Sequence, residues 1–144
     1  MILGIGTDIV DCRRLKRPFD RFGEKFTQKI LTPTEWAYIE KKTRSLENFI
    51  QKERMEEKIL LGIGKIFAAK EAFVKALGTG FRAHIHFLDM EVQRNDQGAP
   101  FIQTFERADI CLQNLTLVGM QSRIQLSLSD EWPYAQAFVV ISGE

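Results

Sequence analysis

The chain has 144 residues, the length of one domain, and is long enough to bury a hydrophobic core. Hydrophobic residues make up 44% and charged residues 27%, as in ordinary globular proteins, which excludes a largely disordered chain. Lys and Arg number 20 against 19 Asp and Glu, so the composition argues against a globally basic nucleic-acid-binding protein.

Neither the N-terminus nor the cysteines indicate export. Residues 1–5 lack the basic start of a signal peptide. The longest apolar stretch, residues 59–69, contains Lys65 and is too short to span a bilayer. Cys12 and Cys111 lie far apart, without metal-ligand spacing, and do not make a disulfide scaffold. We therefore expect a cytoplasmic protein with reduced thiols and no membrane contact.

The hydrophobic pattern mixes strands and helices without a regular βαβ rhythm. It predicts strands at residues 2–10, 87–93, 100–104, 124–129 and 134–141. It predicts helices at residues 33–44, 65–77 and 105–115, with helical structure also after Pro18. The first of these helices should start with a capping box of Thr32 and Glu35, and the second should stop at Gly78. The polar segment 45–60 is expected to be a helical or mobile excursion. The pattern therefore favours one α+β domain over residues 1–144, with an antiparallel sheet.

The first strand has one nearly bare face that ends in a carboxylate. Because alternate residues of a strand share a face, Gly4, Gly6 and Asp8 lie together. Glycine inside a strand marks the close approach of another backbone or of a ligand. Two interpretations stay open here: tight packing against a helix with Asp8 as a turn acceptor, or a ligand site at Asp8.

The helix predicted at residues 65–77 carries charges where apolar or small side chains are expected. Its bulky apolar stripe consists of Ile66, Phe67, Phe73, Val74 and Leu77. Lys70 falls inside this stripe, Glu71 lies at its edge, and Lys75 lies one turn beyond Glu71. A structural explanation is a snorkelling Lys70 beside an i,i+4 ion pair of Glu71 and Lys75. A functional explanation is a site for a phosphate compound and a divalent metal, because carboxylates hold such metals and ammonium groups neutralise phosphate.

Residues 11–30 form a basic segment, with seven basic side chains against three acidic ones. The basic residues that recur at intervals of four are Arg17, Arg21, Lys25 and Lys29. A continuous helix would place them in one stripe, and like charges at that spacing cost stability unless an acidic partner or solvent meets them. An RNA-binding surface would need exposed aromatic residues between the basic ones, whereas Phe19, Phe22 and Phe26 have the helical spacing of a core or an interface. We therefore predict no nucleic-acid partner.

Two motifs resemble the signatures of a known family. Residues 4–10 read GIGTDIV, and residues 67–80 read FAAKEAFVKALGTG. Both closely resemble the motifs of the holo-acyl-carrier-protein synthases, the small single-domain 4′-phosphopantetheinyl transferases of bacteria. The resemblance continues, in the same order along the chain, at residues 89–92, 98–100, 127–129 and 134–135. It therefore covers nearly the whole chain.

The resemblance implies an enzyme that transfers the 4′-phosphopantetheine arm of coenzyme A to a serine of apo acyl carrier protein. The other product is adenosine 3′,5′-bisphosphate, and the reaction supports fatty acid biosynthesis. By the same resemblance, Asp8 and Glu71 match the two carboxylates that hold Mg²⁺. Lys75 matches the lysine that contacts the pyrophosphate and stabilises developing charge. Asp8, Glu71 and Lys75 are then the expected catalytic residues.

The resemblance also implies binding surfaces for both substrates. Coenzyme A is expected to contact Lys70, Lys75, Gly78 and Pro100, with Pro100 near the adenine. Arg14 matches a position in the site region of the family. The acidic carrier protein is expected to dock on Arg14, Arg17, Arg21 and Lys25, because the local excess of positive charge on the basic segment suits an acidic partner. Family members form trimers with an active site at each subunit interface. We expect a homotrimer here too, because the bare strand face and the alanine face of the helix would need cover beyond one subunit.

The chain departs from the family pattern at several positions. The family commonly has Arg, Ser, His and His at the positions of Ile66, Val74, Gln125 and Asp130. Some phosphate contacts of coenzyme A must therefore come from elsewhere, and Lys65 is the candidate. Residues 45–60 look like an insertion, since the family is usually shorter there. The alternative function, an inactive carrier-protein-binding module of the same fold, predicts the loss of a catalytic residue, but Asp8, Glu71 and Lys75 are all present.

Overall fold

The structure is a computed structural model that describes all 144 residues. Its strands are β1 (Ile2–Asp11), β2 (Met90–Arg94), β3 (Pro100–Thr104), β4 (Ser122–Glu131) and β5 (Tyr134–Gly143). Its α-helices are α1 (Lys16–Phe22), α2 (Glu24–Ile30), α3 (Pro33–Arg44), α4 (Lys52–Leu77) and α5 (Glu106–Leu115). The antiparallel sheet has the order β1-β5-β4, and β2 and β3 form a separate hairpin. The predicted α+β fold with an antiparallel sheet is confirmed.

Helix α4 lies directly on the bare face of β1. A Cβ atom on Gly6 would lie 1.9 Å from the carbonyl oxygen of Ala72, and one on Gly4 would lie 1.9 Å from that of Ala76. Only glycine lets the two backbones approach this closely. The tight packing against a helix is therefore confirmed, but Asp8 is not a turn acceptor, because its Oδ1 accepts from Lys75 Nζ. The expectation that these two faces need a second subunit is wrong, because they cover each other within one chain.

Helix α4 is longer than the sequence predicts. It spans 26 residues and begins at Lys52. Residues 45–51 form the turn that follows α3, and the rest of the segment 45–60 is helical, which is one of the two alternatives expected for it. Gly78 ends the helix in the left-handed conformation with φ of 77°, as predicted. The helix runs through both hydrophobic clusters of the domain, one that includes Phe73 and one that includes Ile63.

The capping box of α3 is present. The Thr32 hydroxyl oxygen accepts from the Glu35 N–H at 3.3 Å, and Glu35 Oε1 accepts from the Thr32 N–H at 2.8 Å. The predicted strand at residues 87–93 starts only at Met90, after a 3₁₀ turn over Phe87–Asp89. In that turn the Asp89 carboxylate accepts from the His86 N–H at 2.9 Å, which holds the chain in a turn rather than in a strand.

The basic segment does not form one continuous helix. Gly23 has φ of 53° and ψ of −125°, which separates α1 from α2. Arg17 and Arg21 therefore share a face of α1, and Lys25 lies on a different helix. The expected single stripe of basic residues is wrong, although all of these side chains remain exposed.

The outer face of the sheet exposes large apolar side chains. Ile5, Ile9 and Phe138 are 55%, 64% and 45% exposed, and Thr7 pairs with Phe138 in the β1–β5 register. Helix α4 covers only the opposite face of these strands. No helix of the chain is both long and apolar enough to cross a membrane.

Candidate active site between β1 and α4

The candidate site lies where β1 packs on the C-terminal half of α4. It brings together Asp8 of the strand and Glu71 and Lys75 of the helix. Lys75 Nζ donates to Asp8 Oδ1 at 2.8 Å and to the Thr7 carbonyl oxygen at 2.9 Å. The close approach at Gly6 brings the helix within reach of Asp8, two residues further along the same face. Glu71 lies one helical turn before Lys75, on the same side of α4. The structure thus joins the three residues that the sequence singles out as catalytic.

The two carboxylates of this site repel each other. Burial raises the pKa of Glu71, the charge of Asp8 raises that pKa further, and the Lys75 ammonium group lowers it in part. The Asp8 side chain is only 16% exposed, whereas Lys75 is 52% exposed and can meet a ligand. Two carboxylates in such repulsion fit a divalent cation, and Mg²⁺ typically takes one or two protein carboxylates and completes its shell with water or phosphate oxygens. The residues present therefore fit the metal that the resemblance implies.

The raised pKa of Glu71 makes stability depend on pH. The folded chain holds this proton to higher pH than the unfolded chain, so stability falls as the pH rises from the ordinary value of 4.5 through the folded-state pKa. The Glu71→Gln variant lacks this loss. We expect its advantage in free energy of unfolding over the parent to be larger at pH 7 than at pH 4, in urea titrations without divalent cations. Equal differences at both pH values would contradict the repulsion, and Glu53→Gln on the exposed first turn of α4 serves as the control.

Lys70 does not belong to this site. Its side chain is 0% exposed, and its Nζ donates to Glu35 Oε1 and to the Ile30 carbonyl oxygen, both at 2.6 Å. The expected contact of Lys70 with coenzyme A is therefore corrected to a buried ion pair within the domain. The sequence indicates that a lysine inside an apolar stripe needs a partner, but it does not indicate which residue that partner is.

The other expected contacts of coenzyme A, Gly78 and Pro100, lie in different parts of the chain. Gly78 ends α4 one turn beyond Lys75 and is exposed. Pro100 pairs with Arg94 across the β2–β3 hairpin, and the Arg94 guanidinium group lies 5.2 Å from the ring centre of Tyr38 on α3. Strand β3 packs beside β4, which β5 separates from β1, so one chain places Pro100 toward the β4 edge and not toward the β1 edge that carries Asp8.

An open cleft of about 1030 Å³ lies between α3, the N-terminal half of α4, β2 and β4. Its basic lining residues are Lys42, Lys58, Lys65 and Arg94. Lys65 Nζ donates to Asp130 Oδ1 at 3.1 Å, so the candidate substitute for missing phosphate contacts is already paired with a carboxylate. Ile66 and Val74, where the family commonly has Arg and Ser, are 6% and 1% exposed and belong to the core.

The expected docking residues lie on the surface beyond β1. Arg14 is on a 3₁₀ turn over Cys12–Leu15, and Arg17 and Arg21 follow on α1. No carboxylate lies within 4 Å of any of these three, whereas the neighbouring Lys16 is paired with Asp20 and Glu56. The arginines are therefore free to meet an acidic partner.

Comparison with known proteins identifies the family of the chain. A sequence model described as the 4′-phosphopantetheinyl transferase superfamily matches residues 4–135. The chain is similar to proteins named holo-[acyl-carrier-protein] synthase. It is 39% identical to the one of Rhodopseudomonas palustris strain BisA53 over 144 residues, which are 100% of this chain and 96% of that protein. It is 40% identical to the one of Bradyrhizobium diazoefficiens over 143 residues, 99% of this chain and 96% of that protein.

Solved structures of similar proteins share the fold. The holo-[acyl-carrier-protein] synthase of Neisseria meningitidis superposes with a TM-score of 0.76 at 34% identity, covering 99% of both chains. That of Bacillus anthracis, solved in complex with coenzyme A (3′,5′-ADP), superposes with a TM-score of 0.66 at 31% identity, covering 98% of this chain and 96% of the other. The chain therefore belongs to the 4′-phosphopantetheinyl transferase superfamily.

Proposed function

We propose that this chain transfers the 4′-phosphopantetheine group of coenzyme A to a serine of apo acyl carrier protein. The products are holo acyl carrier protein and adenosine 3′,5′-bisphosphate. The observation that carries the proposal is the meeting of Asp8, Glu71 and Lys75 at one half-exposed site. The names of the relatives support it. So do the similar proteins of Bacillus anthracis and Helicobacter pylori, which were solved in complex with coenzyme A.

The geometry suits attack on a phosphoryl group. The serine oxygen bonds to the phosphorus that carries the pantetheine arm, the bridging P–O bond of the pyrophosphate breaks, and the bisphosphate leaves with the bonding electrons. Negative charge grows on the phosphoryl oxygens, and the exposed Lys75 ammonium group is placed to stabilise it. Glu71 is the carboxylate proposed to accept the serine proton, through a water.

We further propose that Asp8 and Glu71 hold Mg²⁺. When bound, the ion would neutralise charge on the pyrophosphate and relieve the repulsion between the two carboxylates. Lys75 Nζ contacts Asp8 Oδ1 at 2.8 Å, so its ammonium group lies beside the proposed metal ligands, where it would also contact the pyrophosphate.

The outer face of the sheet is the proposed contact between three subunits. In one chain, an apolar surface on this face is exposed to water, and it is formed by Ile5, Ile9 and Phe138. A neighbouring copy seated there could supply contacts that one chain keeps apart from Asp8, such as Pro100. Burial of such apolar side chains on both partners is the usual source of stable oligomers.

The Phe138→Asp variant should therefore be monomeric. A charge on this face would have to be desolvated in the interface, so we expect sedimentation to give a trimer for the parent and a monomer for the variant at micromolar concentration. The control is Phe49→Asp, which places the same change on an 81% exposed residue of the turn between α3 and α4. A trimeric Phe138→Asp variant would place the interface elsewhere.

The docking surface for the acidic carrier is proposed to be the basic face of the 3₁₀ turn, α1 and α2. Reversing Arg21 and Lys25 to Glu should weaken carrier binding about 10- to 100-fold at low salt, because complementary charge speeds encounter and fixes register. The KM for coenzyme A should change little, and added salt should shrink the deficit.

The matched control reverses Lys41 and Arg54, two exposed basic residues on α3 and α4, and changes the net charge by the same amount. Carrier affinity measured by titration calorimetry should separate the two pairs. If both double reversals weaken binding equally, net charge alone attracts the carrier and the docking surface lies elsewhere.

The reaction itself is tested by following adenosine 3′,5′-bisphosphate by chromatography. Its release should require the chain, coenzyme A and apo acyl carrier protein together. Release without the carrier would indicate a hydrolase instead. Carrier binding without any release would support the alternative of an inactive binding module.

A further inference from the structure

A buried ion pair connects α4 with three other elements of the fold. Lys70 and Glu35 are both 0% exposed, and Lys70 Nζ lies 2.6 Å from Glu35 Oε1. The same ammonium group donates to the carbonyl oxygen of Ile30 at the end of α2. Glu35 Oε1 also accepts from the N–H of Thr32 at 2.8 Å, and its Oε2 accepts from the N–H of Val92 on β2 at 2.7 Å. One carboxylate and one ammonium group therefore connect α4 with α2, α3 and β2.

This pair lies opposite the contact of α4 with the sheet. At 100° per residue, Ala72 and Ala76 are about 120–160° around the helix from Lys70. Those alanines are the residues that β1 approaches at Gly4 and Gly6. Helix α4 is therefore held from two opposite sides. On one side its backbone packs directly on β1, and on the other Lys70 makes short hydrogen bonds to α2 and α3. Glu71 lies on the flank between these two contacts.

Stability alone does not account for the ion pair. Burial raises the pKa of Glu35 and lowers the pKa of Lys70, because removing either charge from water is costly. Well-packed neutral residues of similar volume are often as stable as a buried ion pair, or more stable. What apolar residues cannot supply is a set of directional bonds, from both carboxylate oxygens and the ammonium group, that fixes the rotation of a helix about its own axis.

We propose that Lys70 and Glu35 are positioning residues, which fix the rotation of α4 and thereby hold Glu71 and Lys75 against Asp8. A rotation of about 10° moves a side-chain end 5–6 Å from the helix axis by about 1 Å. A misplacement of that size can cost about 100-fold in rate. The kinetic part of this inference rests on the proposed transferase function, whereas its structural part does not.

The test uses the double variant Glu35→Gln/Lys70→Met. Lys70→Met alone would leave a buried carboxylate unpaired and could fail to fold. The double variant removes both charges, and the Gln amide oxygen can still accept from the backbone N–H of Thr32 or Val92. The control is Ile63→Val, which trims a fully buried residue of α4 outside the ion pair.

Three readouts decide the matter. We expect the double variant to stay folded with a lower melting temperature, because one buried backbone N–H loses its acceptor. The amide protons of residues 70–75 should gain at least about 10-fold more in exchange rate than those of residues 55–63 on the same helix. We expect kcat to fall about 10- to 100-fold, with the KM for coenzyme A changed less than about threefold. The reason is that misplaced Glu71 and Lys75 side chains stabilise the transition state less well but affect substrate binding little. Ile63→Val should leave both the exchange and kcat near those of the parent.

A stable double variant with the exchange rates and kcat of the parent would overturn the inference, since the pair would then be only structural. If kcat and the melting temperature fall together in the double variant and in Ile63→Val, ordinary destabilisation explains the loss and the inference is also wrong. If the parent transfers nothing, the proposed function fails, and the exchange comparison alone decides whether the pair holds α4.

Discussion

Replacing Glu71 by Gln is expected to reduce phosphopantetheine transfer by about 10³-fold or more, because one residue serves both the metal and the serine proton. The amide cannot take a proton and is a weaker ligand for Mg²⁺. Asp8→Asn should have a loss of similar size, since Asp8 is the other carboxylate of the proposed site. Steady-state release of adenosine 3′,5′-bisphosphate at saturating coenzyme A and magnesium measures the effect.

The fold should survive both changes. Glu71 lies at a partly exposed surface, and its repulsion with Asp8 disappears in the variant. Circular dichroism and urea titration should therefore give an intact protein. Glu53→Gln, on the exposed first turn of the same helix, should keep full activity. Parent-like transfer by Glu71→Gln would remove Glu71 from the chemistry and with it the proposed metal site.

Replacing Gly6 by Ala is expected to destabilise the protein by about 3 kcal/mol or to prevent folding. The new Cβ would lie 1.9 Å from the carbonyl oxygen of Ala72 and 2.7 Å from the backbone nitrogen of Ala76. Neither atom belongs to a flexible side chain, so either β1 or α4 must move. Such movement would also carry Asp8 away from Lys75. Urea titration of the purified variant, or its absence from the soluble fraction, gives the result.

The matched control for this change is Gly62→Ala on the same helix. Its Cβ would meet the Ile39 side chain, with the nearest atom, Cγ1, at 3.0 Å, and a side chain can adjust where a backbone cannot. Alanine also favours a helix over glycine by about 1 kcal/mol, so the net change should be small. If Gly6→Ala were as stable as Gly62→Ala, the contact between β1 and α4 would be looser than the structure shows.

Local signals in the sequence predict much of this fold. The capping box at Thr32 and the stop at Gly78 depend on neighbouring residues, and both are confirmed. The start of α4 is missed, because residues 52–59 are mostly charged and the helix there depends on packing of its later residues, such as Leu60 and Ile63. The break at Gly23 is missed because one glycine costs a helix only about 1 kcal/mol, which tertiary contacts can override.

The candidate site was predicted where charge and spacing are local, and missed where partners are distant in sequence. Glu71 and Lys75 are one turn apart, and the bare face of β1 indicates Asp8. Lys70 stands out as a charge in an apolar stripe, but its partner Glu35 is 35 positions away and was already accounted for as a capping residue. Composition and periodicity give no information about such a pairing, so only the fold distinguishes a buried lysine from one that binds phosphate.

The most direct measurement is intact-mass spectrometry of apo acyl carrier protein after incubation with the chain, coenzyme A and magnesium. The account predicts a mass gain of one phosphopantetheine group on the carrier with the parent, and no gain when the acceptor serine of the carrier is replaced by Ala. It also predicts little or no gain in the same time with Asp8→Asn or Glu71→Gln. A carrier of unchanged mass with the folded parent, or an equal gain with the parent and with Glu71→Gln, would contradict it.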